Sequence, residues 1–576
     1  MSSTKAFLSR SVILVAILAY LLRPINRPSF TVIEPLNPQD PINLPSGTSR
    51  RVLVAGGGLA GLSAALELAE RGFQVSVWEA SPVLGGRLAT RTVQLCNQTF
   101  AIEHGFHAWF ANYHVFADIR KRLGIDHYFR PWGAVQFIFK DPRYKPEALE
   151  SQGPYPWNLI SIVLRSPNLR FIDAILSTRH VVDLLWFDHK TVWGKYDEQS
   201  FSEWARAMGI ARVFYDVLYA PTLSVTVNER QNISAAEMLS MNHIYFLSHP
   251  RADRREVTRV DYETAIIQPW EMRLQALGVK IERGKRVGRL NFTETGVHVV
   301  EEEEEGEEGV AGSDFDHVVL ATNLQGVKSI LDASSVSPPS SLSSPSPPST
   351  ASSFSYVTST AALAQLRHQT SFLEIAPPYK VFRAYFDRQL RGPYNQEIVL
   401  ETPDSSPINL IAQYHLLEEE SAEWARRTGG SVIEFHLYTW EGGYDGGKGD
   451  KFAAGEEVRV LWEFLRPTVC GHLLPEMCAQ NFTLVDGYVA HYEDFPSFKK
   501  GLHKYRPRSQ TPHQLGLTRL SLAGDWLSTS FPSALMERAV ATGREAANVV
   551  LQEEGIRQAP LPVTTSHGPG LRVLAS

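Results

Sequence analysis

The chain has 576 residues, more than one ordinary domain holds, so we expect two interwoven domains with appendages. Its 56 Lys and Arg and 62 Asp and Glu residues leave a net charge of −6, without the basic excess typical of nucleic-acid binding. The three cysteines form neither a disulfide framework nor a spaced set of metal ligands, so we predict no metal site and expect Cys470 and Cys478 to be buried thiols.

The first 29 residues form a candidate membrane or targeting leader. They contain no acid, and Lys5 and Arg10 precede the apolar run Val12–Leu22. As a helix this run would span about 16 Å, against about 30 Å for a bilayer core. Three interpretations stay open: a signal peptide or N-terminal anchor, an organellar or plastid targeting segment, and a peripheral membrane helix. We expect membrane association in one of these forms, the alternative being a disordered leader, and a proline-rich linker over 30–49.

The stretch Arg51–Glu79 predicts a dinucleotide-binding βαβ unit. An apolar strand leads into Gly56, Gly58 and Gly61, which form the pattern G-x-G-x-x-G and are followed by a run rich in helix formers. In such a unit the first glycine permits a tight turn, the second lets the backbone approach a pyrophosphate, and the third lets the helix pack closely. Glu79 ends the second strand, where an acid would accept hydrogen bonds from an adenosine ribose. NAD and FAD both use this unit.

A second glycine turn follows in Ser81–Thr90, which reads SPVLGGRLAT. On its own it would be interpreted as a surface loop with an exposed arginine. Placed just after Glu79, the trio Gly85, Gly86 and Arg87 resembles the second flavin motif of the amine oxidase and carotenoid desaturase superfamily. The resemblance implies that the cofactor is FAD and that Arg87 helps to hold its diphosphate side, a role that suits an always charged guanidinium.

The resemblance becomes more specific in Ala101–Leu123. The run E-H-G-F-H-A-W-F and the helix after it resemble plant- and cyanobacterial-type carotene desaturases, and more closely isorenieratene-synthase-like β-carotene desaturases. In that family the segment lies near the flavin, so His104 and His107 are weak candidates for catalysis. The alternative, which we favour, is that they are hydrogen-bonded histidines at a strand-to-helix turn. A metal site is not expected, because nothing nearby completes a ligand set.

The middle of the chain is expected to alternate between two domains. The first flavin segment would cover 50–132, and a helical substrate domain would cover 133–260, where Phe201–Leu239 resembles the plant-type desaturases. Residues 261–332 would return to the flavin domain, with a helix at Pro269–Leu277. In the flavin family the residue at Val287 meets the adenine through its backbone.

Two biased segments interrupt this pattern. The acidic run Glu301–Glu308 is predicted to be a solvated hairpin loop, and the Ser/Pro-rich insert 333–355 is predicted to be disordered. The rest of the substrate domain, 356–512, should contain a sheet with strands at Tyr379–Phe386 and Ser431–Leu437.

The last motif lies in Leu520–Val550, which reads LSLAGDWLSTSFPSALMERAVATGREAANVV. A strand ends at Gly524 and Asp525, and a helix begins after Pro532. In flavoproteins of this superfamily the aspartate binds a ribityl hydroxyl, and the helix N-terminus faces the flavin pyrimidine, where its positive end stabilises charge at flavin N1. The form S-A-L-M-E-R-A resembles the β-carotene desaturase branch. Residues 513–553 would complete the flavin domain, and 554–576 should be a frayed tail.

The expected fold class is therefore α/β: a Rossmann-type FAD-binding domain of the glutathione-reductase kind, interleaved with an α+β substrate domain. The motifs assign the cofactor contacts to a set of sixteen positions. These are Gly56, Gly58, Leu59, Ala60, Gly61, Glu79, Ala80, Gly85, Gly86, Arg87, Val287, Gly524, Asp525, Ala534, Leu535 and Met536.

The resemblance implies an enzyme that holds FAD noncovalently and desaturates or isomerises a carotenoid or other apolar isoprenoid by hydride transfer to the flavin. Quinone or oxygen would reoxidise the flavin, and a membrane surface would supply the substrate. Two alternatives remain at this point. One is a flavin amine oxidase, although no aromatic amine cage is evident. The other is a flavin-free prenyl-binding protein of the same fold, as in Rab escort and GDP-dissociation inhibitor proteins.

Overall fold

The computed structural model describes residues 30–569 except for the segments 133–134, 140, 149–156, 171, 174–177, 225, 230, 250–251, 253, 294, 303–311, 338–359, 392–398, 402–407, 439–451 and 454. The expected leader 1–29, most of the Ser/Pro-rich insert and most of the acidic run therefore lie outside the described residues. Among the described residues, no helix combines the length and apolarity needed to cross a bilayer.

The strands, in chain order, are β1 (Phe30–Ile33), β2 (Arg51–Ala55), β3 (Gln74–Glu79), β4 (Thr90–Leu95), β5 (Gln98–Glu103), β6 (Trp109–Phe110), β7 (Phe129–Pro131), β8 (Gln136–Phe137), β9 (Glu147–Ala148), β10 (Arg255–Thr258), β11 (Lys280–Arg283), β12 (Val287–Phe292), β13 (Val297–Glu301), β14 (Ser313–Phe315), β15 (His317–Leu320), β16 (Ser335–Val336), β17 (Tyr379–Phe386), β18 (Val399–Glu401), β19 (Leu410–Gln413), β20 (Ser431–Leu437), β21 (Phe452–Ala453), β22 (Leu484–Tyr492), β23 (Leu520–Leu522) and β24 (Leu561–Thr564).

The α-helices are α1 (Leu59–Ala69), α2 (His114–Leu123), α3 (Trp157–Arg165), α4 (Thr178–Leu185), α5 (His189–Tyr196), α6 (Phe201–Ala207), α7 (Arg212–Phe214), α8 (Ala220–Ser224), α9 (Ala235–Asn242), α10 (Gln268–Ala276), α11 (Leu324–Ala333), α12 (Thr360–Ser371), α13 (Tyr414–Leu417), α14 (Glu419–Thr428), α15 (Glu456–Thr468), α16 (Pro475–Ala479), α17 (Thr511–Leu515) and α18 (Leu535–Glu553). π-Helical turns occupy Tyr215–Tyr219, His243–Leu247, Glu263–Ile267 and Val469–Leu473.

A five-stranded parallel sheet forms the centre of the first layer, in the order β11-β3-β2-β15-β23. Its middle strands are buried on both faces, as their continuous apolar runs predict. The chain places β3 on one side of β2 and later returns to place β15 on the other side. Where the connections diverge in this way, the carboxyl ends of the strands border a crevice in which ligands of such sheets bind. A smaller sheet, in the order β14-β13-β12-β16, flanks it.

An eight-stranded sheet, in the order β21-β22-β17-β20-β19-β18-β8-β9, forms the second large layer. Its two faces separate two cores. On β17 the side chains of Tyr379, Val381 and Tyr385 join the core shared with the parallel sheet, whereas those of Phe382 and Phe386 join a core on the far side under α15. This alternation has the period of two that a strand imposes.

Four expectations were wrong. The supposed linker 30–49 contains β1, which pairs antiparallel with β24 in the supposed frayed tail, from Phe30 opposite Thr564 to Ile33 opposite Leu561. Pairing satisfies the backbone groups of both segments and buries most of β24. Cys470 and Cys478 form a disulfide with a Cα–Cα distance of 5.4 Å, which joins the π-helical turn Val469–Leu473 to α16. The region 133–260 is also not all helical, since β8, β9 and β10 lie in it.

Candidate flavin site and adjoining cavity

A cavity of about 450 Å³ lies between the carboxyl ends of the parallel sheet and the inner face of the eight-stranded sheet. All of the sixteen expected cofactor positions line it except Gly61 and Ala534. His104 and His107 line it as well. Motifs hundreds of residues apart in sequence therefore meet at one place.

Two of the glycines after β2, Gly56 and Gly61, leave no room for a side chain. A Cβ on Gly56 would lie 2.7 Å from the Ala321 carbonyl oxygen, and one on Gly61 would lie 1.9 Å from the Gly56 carbonyl oxygen. Gly58 differs, because a Cβ there would meet nothing closer than the Cα of Gly86, at 3.9 Å. Gly56 and Gly61 thus make the turn and the helix contact, while Gly58 borders open space into which a ligand fits.

Two helix N-termini border this cavity without a side-chain cap. Helix α1 begins after Gly58, and Leu59 and Ala60 line the cavity. Helix α18 begins after Ala534, and Leu535 and Met536 line it. Uncapped N–H groups and the positive end of the helix dipole favour an anion or a developing negative charge, by roughly 0.3–1 kcal/mol each.

Glu79 lies at the carboxyl end of β3 and holds the glycine turn in place. Its Oε2 accepts from the Gly57 amide at 2.7 Å, and its Oε1 accepts from the Ser81 amide at 2.7 Å. A carboxylate has about four lone-pair sites, so two remain for the hydroxyls of a ribose.

Arg87 and Asp525 form an ion pair of 2.6 Å inside the cavity wall. Arg87 also lies over the ring of Phe495, with its guanidinium carbon 4.8 Å from the ring centroid. The loop that carries Asp525 is fixed by Thr542 of α18, whose hydroxyl accepts from the Gly524 amide at 3.0 Å. The two polar side chains that the flavin motifs single out are therefore in direct contact.

The two candidate histidines are held by hydrogen bonds to the backbone. His104 Nδ1 lies 2.9 Å from the Arg87 carbonyl oxygen, and its Nε2 lies 3.4 Å from the hydroxyl of Tyr379. His107 Nδ1 lies 2.9 Å from the Gly105 carbonyl oxygen. Burial lowers the pKa of His107 to about 4, so its imidazole is neutral at pH 7.

The sequence reasoning missed a set of polar residues on the eight-stranded sheet. Glu434 and His436 lie on β20, Tyr438 follows it directly, and His436 and Tyr438 line the cavity. The sequence could have revealed them. In the run S-V-I-E-F-H-L-Y, polar residues recur at every second position of an apolar strand, which places them on one face.

Arg383 of β17 anchors this set. It lies directly opposite Glu434 in the strand pairing, and its guanidinium contacts Glu434 Oε2 at 2.8 Å and Glu103 Oε2 at 2.6 Å. Burial alone would raise the pKa of Glu434, but the charge of Arg383 and the hydrogen bond from His436 lower it to about 2. Burial raises the pKa of Glu103 to about 7 despite its contact with Arg383. Glu434 is thus ionised at neutral pH.

Other cavity residues that were missed follow β15 or precede β12. They include Lys285, Arg286, Thr322 and Asn323. The general rule that ligands of a parallel sheet lie beyond its carboxyl ends would have pointed to Thr322 and Asn323, since they directly follow an apolar run, Val318–Ala321, that is typical of a buried strand.

The residues present fit a flavin dinucleotide. The cavity combines an open glycine cradle at Gly58, two uncapped helix N-termini, an acid with free lone pairs at one end and the Arg87–Asp525 pair farther along. When bound, the adenosine half would lie toward Glu79 and Val287, and the flavin half toward Asp525 and the start of α18. Among the described residues that line the cavity, none is a cysteine.

Comparisons with known proteins agree with this geometry. The family model described as flavin containing amine oxidoreductase matches residues 59–408 and 481–551, which is most of the chain. The chain is 27% identical to the carotenoid phi-ring synthase of Chlorobaculum tepidum, covering 90% of this chain and 91% of that protein. It is 26% identical to the carotenoid phi-ring synthase of Streptomyces griseus, covering 89% and 90%. It is 22% identical to the zeta-carotene desaturase of Synechocystis, covering 88% and 98%.

Solved structures show the same fold. A putrescine oxidase bound to putrescine superposes with a TM-score of 0.56 at 14% identity, covering 88% of this chain and 99% of that one. The cyclohexylamine oxidase of Brevibacterium oxydans gives a TM-score of 0.55 at 14% identity, with the same coverage. The match over most of the chain and the assembly of its flavin motifs in one cavity lead to one conclusion. The chain belongs to the flavin-containing amine oxidoreductase family and is an FAD-dependent oxidoreductase.

Proposed function

We propose that the protein desaturates or isomerises a carotenoid or related isoprenoid, using noncovalently bound FAD. The observation that carries this proposal is an aromatic wall that continues the cavity beyond the flavin end. Phe106 packs edge-on against Trp132 at 5.3 Å, and Phe110 stacks on Tyr245 at 4.4 Å. All four side chains line the cavity. Such a wall suits an apolar polyene, and the relatives named as carotenoid enzymes share nearly the whole chain.

The same wall disfavours an amine substrate. Arg255 lies with its guanidinium carbon 5.4 Å from the ring centroid of Phe110 and 5.3 Å from that of Trp132. A fixed positive charge at this place repels a protonated amine, whereas an uncharged hydrocarbon experiences no such repulsion. We therefore rank the flavin amine oxidase second and the flavin-free prenyl-binding protein third.

In this proposal the flavin supplies a two-electron acceptor for hydride. The chain contributes binding, orientation and exclusion of water. Glu79 would bind the adenosine ribose, Arg87 would hold the diphosphate side, and Asp525 would bind a ribityl hydroxyl. The aromatic wall orients the hydrocarbon so that one C–H bond faces the flavin. Reoxidation is by quinone or oxygen.

The experiment is a visible spectrum of the purified holoprotein, recorded without oxygen before and after addition of a carotenoid panel and an amine panel. The carotenoids should include substrates with open and with cyclised ends. Bleaching of the flavin band by a carotenoid supports the proposal and narrows the substrate. Bleaching by amines alone would move the protein to the amine oxidases. A colourless protein that cannot be reconstituted with FAD would favour the prenyl-binding alternative.

We further propose that the protein works at a membrane surface, where such a substrate dissolves, with the leader 1–29 as anchor or targeting segment. Large apolar side chains on and around α3 and α4 support this, since Leu164, Ile172, Val182 and Trp186 are exposed. Their exposure suits an interfacial contact. In flotation with phospholipid vesicles, replacement of Leu164 and Val182 by serine should weaken binding, and unchanged flotation would contradict a role for this face.

A further inference from the structure

Three polar residues in and just after β20 lie on one face of that strand. Glu434, His436 and Tyr438 alternate with Phe435 and Leu437, which pack into the core on the opposite face. His436 lies opposite Val381 on β17 and opposite Leu410 on β19, so both neighbours hold its position in the sheet. A single slip in register would turn all three polar side chains into the apolar core, so the register is well specified.

The hydrogen-bond network assigns the protons. Glu434 is ionised and can only accept, so His436 Nε2, at 2.7 Å from Glu434 Oε1, carries a proton. The Phe106 amide lies 3.0 Å from the same oxygen and 3.3 Å from His436 Nε2, and it donates to the carboxylate, which is the closer and stronger acceptor. In a neutral imidazole the other nitrogen then has a lone pair. We therefore assign His436 Nδ1 as the acceptor of the hydroxyl proton of Tyr438, whose oxygen lies 2.7 Å away.

Burying these charged and polar side chains costs free energy of folding. Arg383, Glu434 and His436 are all at most 3% exposed. A buried ion pair is often no more stable than well-packed apolar side chains of similar volume, so folding alone does not explain it. The arrangement matches the logic of a nucleophile or base oriented by a histidine and a carboxylate, with the phenol of Tyr438 at the end that faces the cavity.

We propose that Tyr438 accepts the proton that the isoprenoid substrate loses during desaturation, and that His436 and Glu434 take over the charge. This rests on the proposed function. One C–H bond of the substrate breaks with its electron pair, as hydride to the flavin oxidant. The adjacent C–H bond breaks and leaves its electron pair as the new C=C bond. Its proton goes to the Tyr438 oxygen while the hydroxyl proton of Tyr438 moves to His436 Nδ1. The imidazolium formed is stabilised by Glu434, which Arg383 holds in place.

The other histidines of the cavity lack this arrangement. His104 also accepts from a tyrosine, Tyr379, but its Nδ1 donates to the carbonyl of Arg87, and Asp494 Oδ2 lies 3.9 Å from its Nε2, beyond hydrogen-bond distance. His107 Nδ1 donates to the Gly105 carbonyl. A backbone carbonyl carries no net charge and stabilises an imidazolium less than a carboxylate does. The structure therefore favours Tyr438 and His436.

The test compares Tyr438→Phe and His436→Gln with Tyr385→Phe. Tyr385 lies on β17 outside the cavity, and its buried hydroxyl has no hydrogen-bond partner among the described residues, so it is a matched control for loss of a tyrosine hydroxyl. The first readout is the rate of anaerobic flavin reduction by the carotenoid that bleaches the wild type. General acid–base contributions predict a loss of about 10²- to 10⁴-fold in Tyr438→Phe and His436→Gln, with FAD content and substrate affinity, measured from the spectral perturbation of the flavin, near those of the wild type.

The second readout needs no turnover. In protein labelled with ¹⁵N-histidine, the difference between wild type and His436→Gln identifies the signals of His436. We expect an N–H type shift for Nε2 and an unprotonated type shift for Nδ1, and the Nδ1 shift should move in Tyr438→Phe but not in Tyr385→Phe. A protonated Nδ1, or an Nδ1 signal indifferent to Tyr438, would overturn the assignment.

Failure of the proposed function can be distinguished from failure of the proton role of Tyr438. A wild type that no carotenoid reduces would overturn the proposed function and the proton role with it, whatever the ¹⁵N signals show. A wild type that is reduced, with Tyr438→Phe reduced at the same rate, would overturn the role of Tyr438 and leave the desaturase proposal intact.

Discussion

Arg87 Nη2 lies 2.6 Å from Asp525 Oδ1, although the two residues are 438 positions apart in the chain. The contact joins the loop after β3 to the loop after β23, and both residues line the cavity. A charge-assisted pair that is only partly exposed fixes the relative position of the two loops. The contact therefore ties together the two loops that carry the second and the last flavin motif.

Asp525→Ala should weaken FAD binding about 10- to 100-fold, because it removes a charged hydrogen-bond partner of the cofactor and leaves Arg87 without its ion pair. The ratio of flavin to protein absorbance after dialysis measures this. Asp332→Ala, at an exposed carboxylate near the end of α11, serves as the control. Full FAD occupancy in Asp525→Ala would contradict the site.

Gly543→Ala should destabilise the protein by about 1–3 kcal/mol through overpacking. The new Cβ would lie 2.1 Å from the Ala60 carbonyl oxygen, where α18 crosses α1. The urea midpoint should fall, and FAD should be lost with it, because Ala60 lines the cavity.

Gly194→Ala is the matched control for this substitution. Gly194 is also inside a helix, α5, but nothing lies within 4 Å of an added Cβ. Here alanine should stabilise by about 0.4–1 kcal/mol, since it restricts the unfolded chain without a clash. If the urea midpoints of both variants shifted equally and in the same direction, the α1–α18 contact would not limit the stability of the protein.

Titration of thiols should find one free cysteine in the denatured, unreduced protein and three after reduction. The free residue is Cys96, and the other two form the disulfide Cys470–Cys478. Replacing both by serine should cost about 2–3 kcal/mol of stability, the loop-closure value for so short a loop. Three reactive thiols before reduction would exclude the disulfide.

His189→Gln should flatten the loss of stability at acid pH. Burial lowers the pKa of His189 to about 4 from its ordinary 6.5, so the unfolded chain binds a proton between these values that the folded chain does not. The stability from this group is present above pH 6.5 and is lost as the pH falls toward 4, amounting to about 2 kcal/mol at pH 5.

Buried carboxyls contribute stability that rises as the pH falls, since burial raises the pKa of Glu103 and of Glu537 to about 7. The share of His189 is therefore obtained by difference, from urea unfolding of wild type and variant at pH 7 and pH 5. The free energy of unfolding should fall by about 2 kcal/mol less in the variant. Parallel curves would show that His189 titrates alike in both states.

Local patterns were enough to predict individual strands in both layers of the fold. The strand in Arg51–Ala55, the glycine turn and the acid at Glu79 obey rules that operate within thirty residues, and the strands Tyr379–Phe386 and Ser431–Leu437 were found with the correct bounds. The helix expected at Pro269–Leu277 is confirmed with ends one residue earlier. The family supplied Asp525, because no local rule connects it to Arg87.

Long-range pairings escaped prediction for a physical reason. The segment Phe30–Ile33 is a strand because Leu561–Thr564 offers its backbone groups, and neither segment carries that information alone. Likewise, the proposed role of Tyr438 depends on Arg383, which lies opposite Glu434 on the neighbouring strand. The polar alternation in β20 was visible, but only the sheet shows which face meets the cavity.

The contact between α1 and α18 has a consequence for biosynthesis. A ribosome that adds about 5–20 residues per second makes α1 long before α18. Until Gly543 has left the exit tunnel, the early glycine turn lacks the helix that packs against Ala60, and Arg87 lacks Asp525. A nascent chain without α18 therefore holds an incomplete candidate flavin site, so cofactor capture has to follow the synthesis of α18.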